Sequence, residues 1–347
     1  MDATQKPLKE WLLNKLHITR VPVVKVYNGY GDDDMLLVMG HVLKQSPLPK
    51  TKFRKNFLSN SLSLIRLFIV EPYKNIPVQL LWGEERLEGV TDESGFFKFE
   101  WTSKKALEHG WHEINVKIAE GKYTGTAGKG KLLVPHPTQH AFISDIDDTF
   151  LVSHSSRLGK RLYVLLTKNA RTRRPFEGVV KHYQLLANNA NENEPNPFFY
   201  VSSSEWNLYD YIQEFKKQYK IPEGVYLLNK IKVGLEFLQT GQGKHDGKYI
   251  RIVRILKEFP ARNFVLLGDD TQRDPDIYTN IVEKFPGRII CVYIRHVNKK
   301  NKAATRQKID HIKNAGVAAL YFEKSEDAIH HSRVIGLIQN TDLIGSF

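Results

Sequence analysis

Three short apolar runs in the second half of the chain each end in a cluster of polar residues. The runs cover residues 141–144, 198–201 and 264–267. Helical patterns lie between them, and strands that alternate with helices are typical of a parallel β-sheet covered by helices on both faces. Such sheets bind their ligands at the carboxyl ends of the strands. The sequence therefore predicts an α/β fold with a functional site where the three runs end.

The helices of this pattern are recognised by apolar residues at helical spacing. That spacing is found in residues 206–219 and again in 248–259, the latter after a glycine-rich loop at 241–247. Further strands are predicted at 225–228, 288–294 and 318–322.

The first part of the chain shows short extended runs separated by turns. The predicted strands are 23–27, 35–42, 62–70, 77–82, 96–101, 111–118 and 131–134. Several short strands at close spacing indicate a β-sandwich, and residues 87–101 resemble transthyretin-like sandwich modules. Two prolines at 135 and 137 mark a linker. We therefore predict a β-sandwich-like accessory domain at 1–137 and a catalytic domain at 138–347.

The charge of the chain indicates anionic partners. Its 347 residues include 51 Lys or Arg and 38 Asp or Glu, a formal net charge of +13. That excess suits nucleic acid, an anionic membrane surface or phosphorylated substrates. We find no aromatic-plus-basic recognition motif and no zinc-finger spacing, so we predict no nucleic-acid partner.

Cysteine usage and hydropathy indicate a compartment. Cys291 is the one cysteine, which excludes an intramolecular disulfide and fits a reducing environment. The apolar runs are far shorter than the roughly 20 residues of a membrane span, and residues 1–7 show no secretory signal. We predict a cytoplasmic protein and leave peripheral attachment to a membrane open.

Asp145 and Asp147 follow the first apolar run two residues apart, which places both side chains on one side of an extended strand. Neighbouring carboxylates are electrostatically costly unless a cation or a shared proton neutralises them. Mg²⁺ is a hard cation that takes carboxylate and phosphate oxygens. One carboxylate can attack phosphorus while the other protonates the leaving oxygen. The pair favours Mg²⁺-dependent phosphoryl chemistry over a solvated acidic turn.

Two further candidates stand at comparable positions in the chain. Ser202 follows the second apolar run, and its hydroxyl can hold a phosphoryl oxygen. Ser203 or Ser204 can instead cap the helix that begins near Trp206. Lys248 opens a helix after the glycine-rich loop, where an ammonium would offset the charge of nucleophile and phosphate, and Lys244 is the weaker alternative for this role.

The third apolar run leads into an acidic cluster with Asp269, Asp270 and Asp274. Three acids within six residues suit the completion of a metal site. The alternative is a helix start, because Asp caps helices and Pro275 suits a first helical turn. The acids at the end of the first run favour the metal site.

This ordered set of strand ends resembles the haloacid dehalogenase superfamily of phosphohydrolases. The resemblance implies a Rossmann-like parallel sheet and roles that follow the order of the motifs: Asp145 as nucleophile, Asp147 as acid/base, Ser202 as phosphate ligand, Lys248 as charge stabiliser, and Asp269 as metal ligand supported by Asp270 or Asp274. It also implies that the main-chain carbonyl of Asp147 binds Mg²⁺ beside the side chains of Asp145 and Asp269.

A narrower resemblance covers roughly residues 141–338. The strings at 142–149, 173–179, 199–208 and 268–278 look like those of the actin-patch phosphatidate phosphatases, with lipins as more distant relatives. This family implies Mg²⁺-dependent hydrolysis of phosphatidate to diacylglycerol and phosphate. It implies substrate binding by Thr149, Arg173 and Arg174.

Basic segments give some independent support for an anionic substrate. Residues 149–176 contain no acid and many Lys and Arg, so an insertion after the nucleophile strand can form a small basic cap over a headgroup. A second basic run, at 295–313, is predicted as a helix that presents lysines to water.

Two other functions stay open. A phosphatase of the same mechanism could act on soluble phosphoesters or phosphoproteins, because the motifs specify phosphoryl chemistry and not the substrate. The other alternative is a non-catalytic phosphatidate sensor. The presence of Asp147, the acid/base implied by the resemblance, argues against it.

Overall fold

The computed structural model of the protein describes residues 18–19, 21–47, 66–137, 139–146, 176–188, 195–231 and 244–339. Its strands form two sheets, one of ten strands in the first part of the chain and one of six in the second. Within the described residues, no helix is both long and apolar enough to cross a bilayer.

The ten-stranded sheet is organised around one long strand. Its strands are β1 (Ile18–Thr19), β2 (Val23–Val26), β3 (Gly29–Gly31), β4 (Leu36–Pro47), β5 (Glu71–Pro72), β6 (Pro77–Trp82), β7 (Glu85–Val90), β8 (Phe96–Trp101), β9 (Gly110–Ile118) and β10 (Ala127–Val134). β4 pairs antiparallel with β1, β2, β3, β5 and β8, and β10 pairs with β3 in parallel. The large sheet confirms the β-rich first part, and its closure into a sandwich stays a prediction.

Alternation along β8 shows why these residues form strands. Phe97, Phe99 and Trp101 are buried, and the residues between them are exposed. Because successive side chains of a strand point to opposite faces, one face enters a core. That core also contains Val78 and Val116 from β6 and β9.

The strand predicted at 62–70 is wrong for the described part of that stretch. Residues Arg66–Phe68 form a 3₁₀-helix. The main-chain carbonyl of Leu67 accepts a hydrogen bond of 3.0 Å from Nδ2 of Asn207, and Phe68 is buried in the core of the second sheet. A tertiary contact therefore takes the place of strand pairing here.

The second sheet has six strands, and six described α-helices accompany it. They are β11 (Ala141–Asp145), α1 (Val179–Asn188), β12 (Phe198–Glu205), α2 (Tyr209–Tyr219), β13 (Gly224–Asn229), α3 (Lys244–Glu258), β14 (Phe264–Asp269), α4 (Asp274–Lys284), β15 (Ile289–Arg295), α5 (Lys302–Asn314), β16 (Ala318–Phe322) and α6 (Ser325–Val334). Short 3₁₀-helices cover Trp206–Leu208 and Lys299–Asn301.

Every pairing in this sheet is parallel, which confirms the predicted α/β class. The strand order is β13-β12-β11-β14-β15-β16. The chain thus moves outward from β11 and then returns to place β14 on the other side of β11. Contacts group α1 with α6, and α4 with α3 and α5, as two helical layers require. Parallel sheets bind ligands where the strand order reverses, between β11 and β14.

The two sheets are packed against each other. The ring of Tyr27 is stacked on Trp206 with 3.8 Å between centroids, and Nδ2 of Asn28 donates to the carbonyl of Gly224 over 3.0 Å. The core of the parallel sheet also takes in Tyr30 from β3. The boundary predicted at Pro137 therefore separates two sheets that share an apolar interface.

Arg262 fixes the linker between the sheets. Its guanidinium donates to the main-chain carbonyls of Pro135 (3.3 Å), His136 (2.9 Å) and Gln139 (2.6 Å). The backbone around the two prolines, which has no strand partner, is thereby held beside the start of β14.

Candidate active site

Two neighbouring strands bring the first two acids together. β11 and β14 pair in parallel with Ser144 opposite Leu267, and both strands are buried along their length. Asp145 and Asp269 are the last residues of these strands and are 1% and 0% exposed. The apolar runs therefore end as predicted, with a carboxylate on each at the same edge of the sheet.

Asp274 completes a cluster of three buried carboxylates with Asp145 and Asp269, here called the triad. One carboxylate oxygen from each residue lies within 4.8 Å of the others. Asp274 begins α4, whose first turn also contains Pro275, so the helix start and the cluster use the same residue. Three acids this close repel one another unless cations neutralise them. The triad is therefore a candidate cation site.

Lys248 supplies one of the neutralising charges. Its Nζ lies 2.8 Å from Oδ1 of Asp145 and 2.5 Å from Oδ1 of Asp274, and its side chain is 3% exposed. Burial alone would lower the pKa of this ammonium, but the carboxylates of Asp145 and Asp274 outweigh that effect and raise it. Lys248 is therefore charged. Three carboxylates and one ammonium carry a formal charge of −2, which a divalent cation can balance.

The third carboxylate is fixed by its own loop. Oδ1 of Asp269 accepts hydrogen bonds from the main-chain N of Thr271 (2.6 Å) and from its hydroxyl (2.5 Å). Oxygen donors such as these carboxylates are the ligands that Mg²⁺ prefers. The donor set of the triad therefore fits Mg²⁺.

Gly268 allows the triad to be this compact. A Cβ at this position would lie 2.7 Å from Oδ2 of Asp274 and 2.8 Å from Cε2 of Tyr278. Tyr278 is itself fixed, because its hydroxyl donates to the carbonyl of Leu267 over 2.9 Å. No side chain fits in that space, so the glycine before Asp269 is a packing requirement of the site.

Ser202 lies at the same edge of the sheet. Its neighbour Val201 pairs with Asp145, and Ser202 is fully buried. Its Oγ accepts a hydrogen bond of 2.9 Å from the main-chain N of Ser204, and its carbonyl accepts one of 3.0 Å from Arg251. Its predicted contact with phosphate stays a prediction.

The prediction that Ser203 or Ser204 caps the following helix is wrong. β12 continues through both serines, and the residue before the 3₁₀-helix is Glu205, whose side chain makes no capping hydrogen bond. Oγ of Ser203 is buried without a hydrogen-bond partner among the described residues.

Asp270 lies apart from the triad. Its Oδ1 accepts hydrogen bonds of 2.7 Å from the main-chain N of both Val297 and Asn298. Its Oδ2 lies 2.6 Å from Nδ1 of His296 and 2.6 Å from the hydroxyl of Tyr321. Of the two acids predicted to support Asp269, Asp274 is thus in the cluster, and Asp270 holds the segment after β15.

Four predicted site residues lie outside the described residues: Asp147, Thr149, Arg173 and Arg174. Their roles, and the basic cap, stay predictions.

One pair beside the site was missed by the sequence analysis. The hydroxyl of Ser144 donates to the carbonyl of Asp145, and the Tyr183 hydroxyl lies 2.8 Å from the same Oγ. Burial raises the pKa of Tyr183, which keeps it protonated as a donor. A tyrosine on the buried face of an amphipathic helix carries no sequence signal for such a contact.

The part of the chain that forms this site is similar in sequence to known proteins. Residues 140–296 match the family model described as phosphatidate phosphatase APP1, catalytic domain. Over 155 residues, or 44% of this chain, the sequence is 31% identical to phosphatidate phosphatase APP1 of Saccharomyces cerevisiae. Over 164 residues, or 45% of the chain, it is 27% identical to an uncharacterized protein of Schizosaccharomyces pombe.

The extent of these matches is limited. The aligned part spans 25% of each of the two yeast proteins. A carbohydrate acetylesterase from Xanthomonas citri aligns over 91% of this chain and 75% of its own, with 8% identity and a TM-score of 0.35. The segment matched by the family model, residues 140–296, contains all three acids of the triad.

Proposed function

We propose that the protein is a Mg²⁺-dependent phosphatidate phosphatase, because residues 140–296 match the catalytic-domain model of phosphatidate phosphatase APP1 and are similar in sequence to that yeast enzyme. Its reaction is the hydrolysis of phosphatidate to diacylglycerol and phosphate. The proposal includes a haloacid dehalogenase-type fold for the second sheet, an accessory role for residues 1–137, and a cytoplasmic protein that attaches peripherally to a membrane.

One observation carries the proposal. Asp145 lies buried at the end of a central strand, with Lys248 on one of its oxygens and two further acids beside it. An ion pair buried only for stability is not expected to gather excess negative charge, because unpaired buried charge is destabilising. A site that binds a cation together with a phosphate group needs this arrangement of charges.

In the proposed mechanism, Asp145 attacks phosphorus and the bond from phosphorus to the diacylglycerol oxygen breaks, which gives an aspartyl-phosphate. Asp147 protonates that leaving oxygen. It then takes a proton from the water that attacks the aspartyl-phosphate, and phosphate is released. Lys248 orients the Asp145 carboxylate through Oδ1 and offsets negative charge. Mg²⁺ would be held by Asp145, Asp269 and the carbonyl of Asp147, with Asp274 supporting the site, and it would neutralise charge on the phosphoryl oxygens.

The same chemistry would serve a soluble phosphoester or a phosphoprotein, and a domain that binds phosphatidate without turnover would share the site. The match of residues 140–296 to the phosphatidate phosphatase APP1 catalytic-domain model supports the lipid substrate over these alternatives.

Phosphate release tests the proposal. We would measure it from phosphatidate vesicles with and without Mg²⁺, and from a soluble aryl phosphate for comparison. Asp145→Asn is expected to lower release on either substrate by about 10³-fold or more. Asp276→Asn, on the partly exposed side of α4, is the matched control and is expected to retain activity.

The outcomes separate the alternatives. Turnover by Asp145→Asn at the wild-type rate would contradict the mechanism. Turnover of the aryl phosphate with none of vesicle phosphatidate would favour a soluble substrate. Binding to phosphatidate vesicles without turnover at any Mg²⁺ concentration would favour a sensor.

A further inference from the structure

A short basic segment follows β15 at the edge of the sheet that carries the triad. We call residues 297–301 the lysine turn. β15 pairs with β14 so that Arg295 lies opposite Asp269. The turn therefore begins two residues after the strand position that lies opposite Asp269, and it leads into α5.

Hydrogen bonds to Asp270 fix the backbone of the lysine turn. Oδ1 of Asp270 accepts from the main-chain N of Val297 and Asn298, and the side chain of Asn301 donates to the carbonyl of Asp270 over 2.5 Å. Within the turn, the Asn298 side chain accepts from the main-chain N of Lys300 over 3.1 Å. The buried carboxylate of Asp270 thus holds the start of the lysine turn, and its main-chain carbonyl holds the end.

What the turn presents to solvent is positive charge. Lys299 and Lys300 are exposed, Val297 is 37% exposed, and the sequence contains no acid from residue 296 to residue 309. Within the described part of the chain neither lysine has an ion-pair partner. By contrast, Lys302 is paired with Glu323 at 3.3 Å. The two ammonium groups are therefore available to an external anion.

We propose that the lysine turn is the surface through which the protein meets the anionic headgroup plane of a phosphatidate-containing bilayer. The inference rests on the proposed function and goes beyond it. A phosphatase whose substrate headgroup lies in a bilayer has to bring its strand-end edge against that plane. Charge complementarity then favours cations fixed at this edge, and Val297 adds an apolar side chain suited to the interface.

Vesicle binding tests this inference on the full chain. Partitioning would be measured by sedimentation with phosphatidylcholine vesicles, with and without phosphatidate. A lysine near an anionic leaflet strengthens partitioning about fivefold, so Lys299→Ala combined with Lys300→Ala is expected to weaken binding to phosphatidate vesicles about 30-fold.

The matched control is Lys257→Ala combined with Lys313→Ala. It removes the same charge from two exposed lysines in the last turns of α3 and α5, which face the opposite edge of the sheet. This pair is expected to bind phosphatidate vesicles as the wild type does. Added salt should reduce the difference between the two double variants, because it screens exposed charges.

Three outcomes would overturn the inference: unchanged partitioning of the Lys299/Lys300 variant, an equal loss in the control pair, or equal binding of the wild type to neutral and anionic vesicles. Hydrolysis separates this failure from that of the proposed function. The variant should lose more activity on vesicle phosphatidate than on a soluble aryl phosphate. A wild type that hydrolyses neither substrate contradicts the proposed function, and the binding result still decides the inference.

Discussion

A cluster of three buried carboxylates and a single buried carboxylate lie side by side at the edge of the parallel sheet, and their negative charge is compensated in different ways. The triad has one ammonium for three carboxylates. Asp270, the residue directly after Asp269, has both oxygens occupied by main-chain N–H groups, a histidine and a tyrosine. A carboxylate with a full set of donors holds the fold together. A cluster with excess negative charge is suited to bind a cation.

Removal of the Lys248 ammonium is expected to have the largest effect on the free energy of unfolding. Lys248→Met leaves the triad without its positive charge, and an uncompensated buried charge costs about 3–5 kcal/mol in the free energy of unfolding. Mg²⁺ should restore part of that loss, because a ligand that binds the folded state stabilises it. Urea unfolding with and without Mg²⁺ measures both effects.

The control for this prediction is Lys257→Met on the same helix. Lys257 is exposed, and its replacement should change the free energy of unfolding by less than about 0.5 kcal/mol. An equal loss in both variants would show that the ammonium of Lys248 has no special importance for the triad.

Gly268→Ala tests how tightly the triad is packed. The new Cβ would meet Asp274 and the fixed ring of Tyr278 at less than 3.0 Å. Overpacking of this kind costs about 2 kcal/mol. It should also raise the Mg²⁺ concentration needed for half-maximal phosphate release, because Asp274 is displaced. Gly287→Ala is the control for the presence of a methyl group alone, since its Cβ would meet nothing within 4 Å. Its own cost arises from its positive φ of 76°.

Asp270→Asn tests the separate roles of the Asp270 carboxylate and the triad. The substitution weakens charge-assisted hydrogen bonds to the lysine turn and to Tyr321, with an expected loss of about 1.5 kcal/mol in the free energy of unfolding. The Mg²⁺ dependence of phosphate release should change little. Asp274→Asn is expected to shift the Mg²⁺ dependence of phosphate release strongly and to change the free energy of unfolding less than Asp270→Asn does. The comparison fails if both variants shift the Mg²⁺ dependence equally.

The strand ends of the site could be predicted because continuous apolar runs mark buried parallel strands. The runs at 141–144 and 264–267 became β11 and β14 with only one or two residues added. β12 is longer than predicted because its pairing with β13 shifts register between Val201 and Glu205. Such a shift depends on the neighbouring strand, and the serines gave no sign of it.

The role of Asp270 could not be predicted from its neighbours in the sequence. Its side-chain partners His296 and Tyr321 lie 26 and 51 residues away. β7 was also missed, because its residues alternate only between half-buried and exposed positions and show no apolar pattern. Local sequence patterns identified the acids at the strand ends. Long-range contacts determine which of these acids joins the triad and which holds the fold together.

A further buried carboxylate, that of Glu258 at the end of α3, has neither an ammonium group beside it nor a full set of hydrogen-bond donors among the described residues. It is 8% exposed, and its Oε1 has no hydrogen-bond partner among the described residues. Burial, with a further contribution from Asp32 that Arg254 partly offsets, raises its pKa from 4.5 to about 7. The folded state therefore binds this proton more tightly than the unfolded state.

This smallest prediction concerns pH. Because the folded-state pKa of Glu258 is raised, its ionisation lowers stability as the pH rises from 4.5 through about 7. Glu258→Gln avoids that ionisation and should be more stable than the wild type at pH 8, by about 1 kcal/mol after solvent screening of the neighbouring charges. The difference should nearly vanish at pH 5. Thermal unfolding at both pH values measures it, with exposed Glu88→Gln as the control. A difference that does not grow with pH would mean that Glu258 is satisfied like Asp270, by donors that stabilise its charge.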